Sequence, residues 1–375
     1  MLYARTAMIP MRIGFDASPV RKYQSGVGHY AGSLLGALST EFPDRDYLVL
    51  SNLPNYVPRA FNLIRTQKRA FPIKEIWMQA WVPRILAQYQ PDLCHFTNSV
   101  APLRVRVPYI VTVHDLSLIR HPEWHPWTRR IWMRRLIRPA ILGARVVLCD
   151  SEATRADLSA WLPVPPSRLC VVPLGARKIF TKVCSQEQKE AVLQKYRLAR
   201  PFFFYLGNIE PRKNLLLLLE AFGQSNLNQV ELVLAGSRAW LWKDVMRSLG
   251  RLRIQSRVRL LDYVVEDDLP ALMQAAQAFV YPSRMEGFGL PVLEAMTSGT
   301  AVVVARIEPL TSLVGDAGWI ADVDDVDQWR IALEEASRDQ EKRVVLAARG
   351  QERARQYTWE AAARATMRCY ERALS

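Results

Sequence analysis

Residues 278–305, AFVYPSRMEGFGLPVLEAMTSGTAVVVA, admit few folds. The run ending at Tyr281 is a short apolar strand, broken by Pro282 and Ser283. Gly287 and Gly289 flank Phe288, and Pro291 falls in the first turn of a helix, where a missing N–H forfeits no helical hydrogen bond. Leu290 to Met296 reads as that helix, Gly299 as its left-handed stop and Ala301 to Ala305 as the next buried strand. The unit is therefore βαβ. The amides of Gly287, Phe288, Gly289 and Leu290 lie at a helix N-terminus, which suits an anion or a polar ligand. Glu286 sits in the turn and Glu294 in the helix, spaced E-x7-E. Such a spacing alone fits a helix cap and a solvated side chain equally well.

The same alternation fills the chain. MRIGFD ends in Asp16 and runs into SGVGHYAGSLLGALS, a glycine loop entering a helix at Gly26 and Gly28. It is a βα phosphate-loop pattern without the dinucleotide fingerprint. Asp16 is placed to orient that loop or to act as a carboxylate. DYLVLS and DLCHF read as strands, with EIWMQAWVPRILAQY helical in period between them. PYIVTVHDLS is a buried strand ending at His114-Asp115, a candidate pair because ligands bind beyond the carboxyl ends of such strands. Ser151 with Thr154 caps a helix after VVLCD, and RLCVVPLGA closes the first half. The polar stretch 181–190 reads as a connection. PFFFYLG, ELVLAG and VRLLDYV restart the pattern. Two successive alternating blocks predict two Rossmann-like α/β domains, at 11–178 and 190–355, with a terminal helix at 357–375.

After PFFFYLG, the turn NIEPRKN places Arg212 and Lys213 at a strand end and a helix start. Helix N-termini disfavour cations unless an anion lies there. The pair suits a diphosphate leaving group, whose charge grows as its bond breaks, and which fixed cations stabilise without a metal.

GFGLPVLEAM in its E-x7-E frame, together with the glycine before NIEPRKN, resembles the donor motif of the retaining family-4 glycosyltransferases. The resemblance spans nearly the whole chain from Met11, with the glycine loop and His114 as weaker support. It implies the GT-B fold, two Rossmann-like domains facing each other across a cleft, the first taking the acceptor and the second the nucleotide. It implies that Glu286 contacts the donor sugar, Glu294 the ribose and His114 the sugar's surroundings. Gly26 and Gly28 would approach the diphosphate. The loops at Gly236 and at Tyr263-Val264 would surround the base. Many members carry Gly-Gly where this chain has Ser25-Gly26, and arginine where it has Asn208. Arg212 and Lys213 then bear most of the phosphate binding.

The expected activity is transfer of a hexosyl unit, mannosyl among the candidates, from a nucleotide sugar to a glycan or lipid-linked acceptor. Retention of configuration, no metal and no cofactor go with it. The alternatives are another GT-B nucleotide-sugar enzyme, such as an epimerase, and a basic nucleic-acid-binding protein, though no nucleic-acid motif is present. Five scattered cysteines without CxxC imply neither zinc nor a disulfide framework. No apolar run nears the ~20 residues of a membrane helix, and MLYARTAMIPM lacks a long apolar leader, so it reads as a short extension of a cytosolic enzyme. The net charge of +14 calls for an anionic partner. WTRRIWMRRLIR sets Arg130, Arg134 and Arg138 on one face and Trp132 with Met133 on another. That predicts peripheral docking of 128–138 on an anionic membrane surface.

Overall fold

The computed structural model describes residues 11–21, 25–53, 63–65, 73–125, 127–238 and 242–375. The extension 1–10 lies outside the described residues, as do the side chains of Arg129, Trp132 and Arg134. Residues up to Leu174 together with Trp359–Ser375 form one compact unit, and Gly175–Thr358 form a second.

The first unit holds β1 (Arg12–Asp16), β2 (Asp46–Leu50), β3 (Leu63–Arg65), β4 (Leu93–Phe96), β5 (Tyr109–Val113), β6 (Val146–Cys149) and β7 (Leu169–Val171). They form one parallel sheet in the order β3-β2-β1-β4-β5-β6-β7. The second unit holds β8 (Phe202–Leu206), β9 (Glu231–Ala235), β10 (Val258–Leu261), β11 (Ala278–Tyr281), β12 (Val302–Ala305) and β13 (Gly318–Ala321). Their order, again all parallel, is β10-β9-β8-β11-β12-β13. Strands such as LCHF, VVLC and VVVA are buried along their whole length. Helices cover both faces of a parallel sheet, so its central strands are continuous apolar runs rather than alternating ones.

Two strands were not expected. β3 is only three residues long at a sheet edge, and β13 begins with Gly318 and buries only alternate residues. EIWMQAWVPRILAQY is two helices, Lys74–Ala80 and Val82–Tyr89. Pro83 supplies no amide to a continuous helical ladder and sits instead in the first turn of the second helix. The stretch read as a connection carries the start of a helix, Gln186–Lys195, closed by a capping box between Ser185 and Gln188.

The terminal helix, Trp359–Leu374, belongs to the first unit. Its buried residues, Trp359, Ala362, Ala363, Thr366, Met367, Cys369, Tyr370 and Ala373, recur at helical spacing and make one broad face. That face packs on the helix Gly26–Glu41, and Arg364 pairs with Glu41 at 2.5 Å beside it. Tyr370 reaches His95 in β4 at 2.7 Å, and His95 reaches Thr112 in β5 at 2.7 Å. Thr112 in turn meets the Tyr30 hydroxyl at 2.8 Å. This buried polar chain stitches helix, sheet and helix together.

Candidate functional site

In the second sheet β8 and β11 are neighbours, but β8 continues to β9 on one side and β11 to β12 on the other. The connections diverge, leaving a crevice at the carboxyl ends of β8 and β11, where open α/β sheets bind ligands. The loop after β8 brings Glu210, Arg212 and Lys213 there, and the loop after β11 brings Glu286. Lys213 Nζ donates to Glu286 Oε1 at 2.6 Å and to the Tyr281 hydroxyl at 2.5 Å. Arg212 Nη1 donates to Glu286 Oε2 at 3.2 Å and to the Met285 carbonyl at 3.0 Å, and its Nη2 to Glu210 at 3.0 Å. The Arg284 amide donates to the Arg212 carbonyl at 2.9 Å, locking the two loops. The sequence reading gave the cations to the diphosphate and Glu286 to the sugar. The structure joins all three in one ion-paired cluster.

Lys213 is only 5% exposed. Burial and the neighbouring Arg212 lower its pKa, against the pull of Glu286. Burial alone would push the Glu286 carboxyl up, but Lys213 and Arg212 outweigh it and hold Glu286 below its ordinary value. The cluster is thus an ionised carboxylate between two cations.

Glu294 is placed otherwise. It is 3% exposed, and Arg177 grips both its oxygens, Nε to Oε1 at 2.6 Å and Nη2 to Oε2 at 3.0 Å. Arg177 also reaches Glu266 at 3.2 Å and stacks on Phe180 at 4.8 Å. Burial still raises the Glu294 carboxyl's pKa, with Arg177 opposing.

Around these groups the turn is tightly built. The helix runs Leu290–Thr297 with Pro291 in its first turn. Gly289 has φ +102°, and a Cβ there would lie 2.5 Å from Leu310 Cδ2. Phe288 is buried, edge-on to Tyr357 at 5.7 Å. Gly236, at φ +148°, passes so close to the β8 loop that a Cβ would lie 2.0 Å from the Gly207 carbonyl. Its amide bonds the Leu261 and Asp262 carbonyls. Tyr263 beside it is exposed and Val264 buried.

His114, Gly26 and Gly28 belong to the first unit. Ser25 caps the helix Gly26–Glu41 by accepting from the Gly28 amide at 3.4 Å, and space is open above the Gly26 Cα. His114 does not pair with Asp115, which instead accepts from the Ser117 amide and hydroxyl. Its partner is Asp150 at the end of β6, 2.7 Å from Nδ1, while Nε2 lies 2.9 Å from the Thr97 carbonyl. Both ring nitrogens thus face oxygens, an arrangement that favours the protonated, positively charged ring. Burial opposes that charge, but Asp150, the Thr97 carbonyl and Asp115 together outweigh it and the His114 pKa is raised, while burial raises the Asp150 carboxyl as well. The Asp16 carboxylate accepts from the Ser18 amide at 2.9 Å.

Asp150, Arg177, Glu210 and Tyr281 escaped the sequence reading. Asp150 had a visible signal, a carboxylate ending a buried strand. Arg177 had none, lying 117 residues from its partner. In the arginine-rich helix Trp127–Gly143, Arg130 turns back onto the His125 carbonyl at 2.8 Å rather than joining a basic face, whereas Arg135 and Arg138 are exposed. Among the described residues no helix is long and apolar enough to cross a membrane.

Residues 187–353 match the family described as Glycosyl transferases group 1, and residues 36–177 match Glycosyltransferase Family 4. The chain is 30% identical to the O-antigen chain mannosyltransferase B of Escherichia coli, over 96% of this chain and 100% of that one. It is 26% identical to a serotype-specific mannosyltransferase WbdA of Escherichia coli, over 70% of this chain but 33% of that longer protein. Anabaena HepE, solved with UDP and glucose, superposes with a TM-score of 0.77 at 19% identity, covering 96% of this chain and 99% of HepE. The fold is GT-B. With two family matches in tandem and a relative alike over its full length, the chain belongs to the group 1, family 4 glycosyltransferases.

Proposed function

We propose that this glycosyltransferase moves a mannosyl unit from a nucleotide sugar to a glycan or lipid-linked acceptor, with retention of configuration and without metal or cofactor. The observation that carries the reading is the Arg212–Lys213–Glu286 cluster at the switch point of the second sheet. Arg212 and Lys213 take the donor diphosphate and stabilise the charge that gathers on it as the glycosidic bond breaks. Glu286, freed in part by that anion, accepts from sugar hydroxyls. Glu294 accepts from the ribose hydroxyls, and Tyr263 and Val264 flank the base. His114, hydrogen-bonded to Asp150, is the first unit's contribution to binding the sugar. The mannosyl choice follows the full-length likeness to an O-antigen mannosyltransferase.

Thermal shift against UDP-, GDP- and ADP-sugars, followed by transfer assays with and without EDTA, tests this. One nucleotide class should raise Tm with concentration, and transfer should survive the chelator. No shift with any of them sinks the reading, and strict Mg²⁺ or Mn²⁺ dependence sinks its metal-free part.

We place the enzyme peripherally on the cytoplasmic leaflet, held by exposed Arg135, Arg138 and Trp127. Each basic residue near an anionic surface contributes about 1 kcal/mol, screened by salt. Sedimentation with anionic liposomes should fall with added salt and with R135Q/R138Q. Equal sedimentation of that variant removes the helix from the reading.

A further inference from the structure

Glu294 is a carboxylate inside a protein core, and what surrounds it decides whether it can serve as an acceptor. Its own helix, Leu290–Thr297, is buried on all sides from Val292 to Met296. Three charged or titratable groups bear on it. Arg177 grips both oxygens, Glu266 touches Arg177 from the far side at 3.2 Å, and Tyr263 acts on Arg177 from beyond. Arg177 itself is fixed. Its side chain is 11% exposed and its guanidinium lies over the Phe180 ring. Phe180 is fully buried, in a short 3-10 turn, Lys178–Thr181, that follows directly.

A vicinal diol donates two hydrogen bonds, so it needs an acceptor with two oxygens and no proton. An ionised carboxylate has about four lone-pair positions. Arg177 takes one on each oxygen, leaving one on each for the diol. A buried carboxyl without its cation would take up a proton and lose half of that capacity.

We propose that Arg177 is a positioning residue for the donor: it holds Glu294 ionised and oriented so that both carboxylate oxygens accept from the ribose hydroxyls. The inference rests on the reading of Glu294 as the ribose acceptor. Arg177 acts through Glu294 and does not touch the nucleotide.

Titration calorimetry on the full chain with UDP and GDP, and with their 2′-deoxy forms, tests it between pH 8 and 6. In the wild type the deoxy form should bind more weakly than whichever ribonucleotide binds, and affinity should fall less towards pH 6 than in the variant that lacks the arginine. In Arg177→Gln affinity should fall at least tenfold at pH 8, fall further towards pH 6, and lose its preference for the ribonucleotide. Arg177→Lys keeps the charge but not the fork. It should weaken binding several-fold with a pH profile closer to the wild type's than to that of Arg177→Gln, and it guards against a Gln variant that does not fold. The double variant R177Q/E294Q should bind like E294Q. Wild-type affinity in both Arg177 variants overturns the proposal, and so does a double variant weaker than E294Q by the full Arg177 factor, which would mean direct contact. If E294Q itself binds the ribo and deoxy forms as the wild type does, the ribose reading fails, and this inference with it.

Discussion

The Lys213 ammonium lies 2.6 Å from Glu286 and 4.7 Å from the Tyr281 ring, so the carboxylate assigned to the sugar is also the counter-ion of the cation assigned to the phosphate. Without ligand the cluster neutralises itself, and a diphosphate must share its cations with Glu286. Glu286→Gln should therefore cut turnover at least a hundredfold while leaving nucleoside diphosphate affinity equal or higher. Steady-state kinetics with product-inhibition constants check this. A weaker diphosphate constant would mean that Glu286 holds the nucleotide rather than the sugar.

Arg212→Ala and Lys213→Ala should each weaken nucleoside diphosphate binding by about 10- to 150-fold, the loss of a charge-assisted bond worth roughly 1.5–3 kcal/mol. They should differ in stability. Lys213 is the more buried, and its removal leaves Glu286 with Arg212 alone. Breaking a buried pair costs about 3–5 kcal/mol. Calorimetric Tm should thus drop further in Lys213→Ala than in Arg212→Ala, and the reverse order would contradict the burial argument.

His114 should titrate above the ordinary histidine value, as followed by nitrogen NMR of its two ring nitrogens. Its pKa is raised against burial by Asp150. In Asp150→Asn the ring should therefore titrate at lower pH, and any alkaline limb of the pH–rate profile should move down with it. An unmoved titration would remove Asp150 as the cause.

His95 makes the first unit acid-sensitive. Burial, with His114 adding to it, lowers its pKa to about 3 from an unfolded value of 6.5. The unfolded chain then binds more protons throughout that window, so stability is lost as pH falls from about 6.5 towards 3. From pH 6.5 to 4 the loss is roughly 3 kcal/mol, at 1.36 kcal/mol per unit. His95→Gln should lower stability at pH 7 but flatten the decline below 6.5 in urea titrations. An equally steep decline in the variant would assign acid lability to other groups.

The βαβ unit at 278–305 was legible because its signals are local. Pro291, Gly289 and Gly299 state their backbone geometry within a few residues, and the structure places each as read. The cation pair at 212–213 was legible for the same reason. Pairings across strands were not. The sequence pairs His114 with its neighbour Asp115, yet β6 lies beside β5 and delivers Asp150 from 36 residues away. Strand order decides such partners, and no short stretch encodes it. Glu294 shows the same limit, for its helix was evident and its arginine was not. β13 escaped because it is only four residues long and opens on Gly318, leaving Trp319 to Ala321 too short a run to announce a strand.

The first unit closes with a helix made at the far end of the chain: Tyr370 meets His95 across 275 residues. The second unit is continuous from Gly175 to Thr358. During translation the second unit can therefore be finished before the first, reversing the usual N-terminal order. At roughly 5–20 residues per second, the face of the helix Gly26–Glu41 that receives Trp359–Leu374 stays bare for on the order of ten seconds or more on every ribosome. Until Trp359–Leu374 emerges, the nascent chain leaves Tyr30, Leu34 and Leu38 of that helix without their final cover.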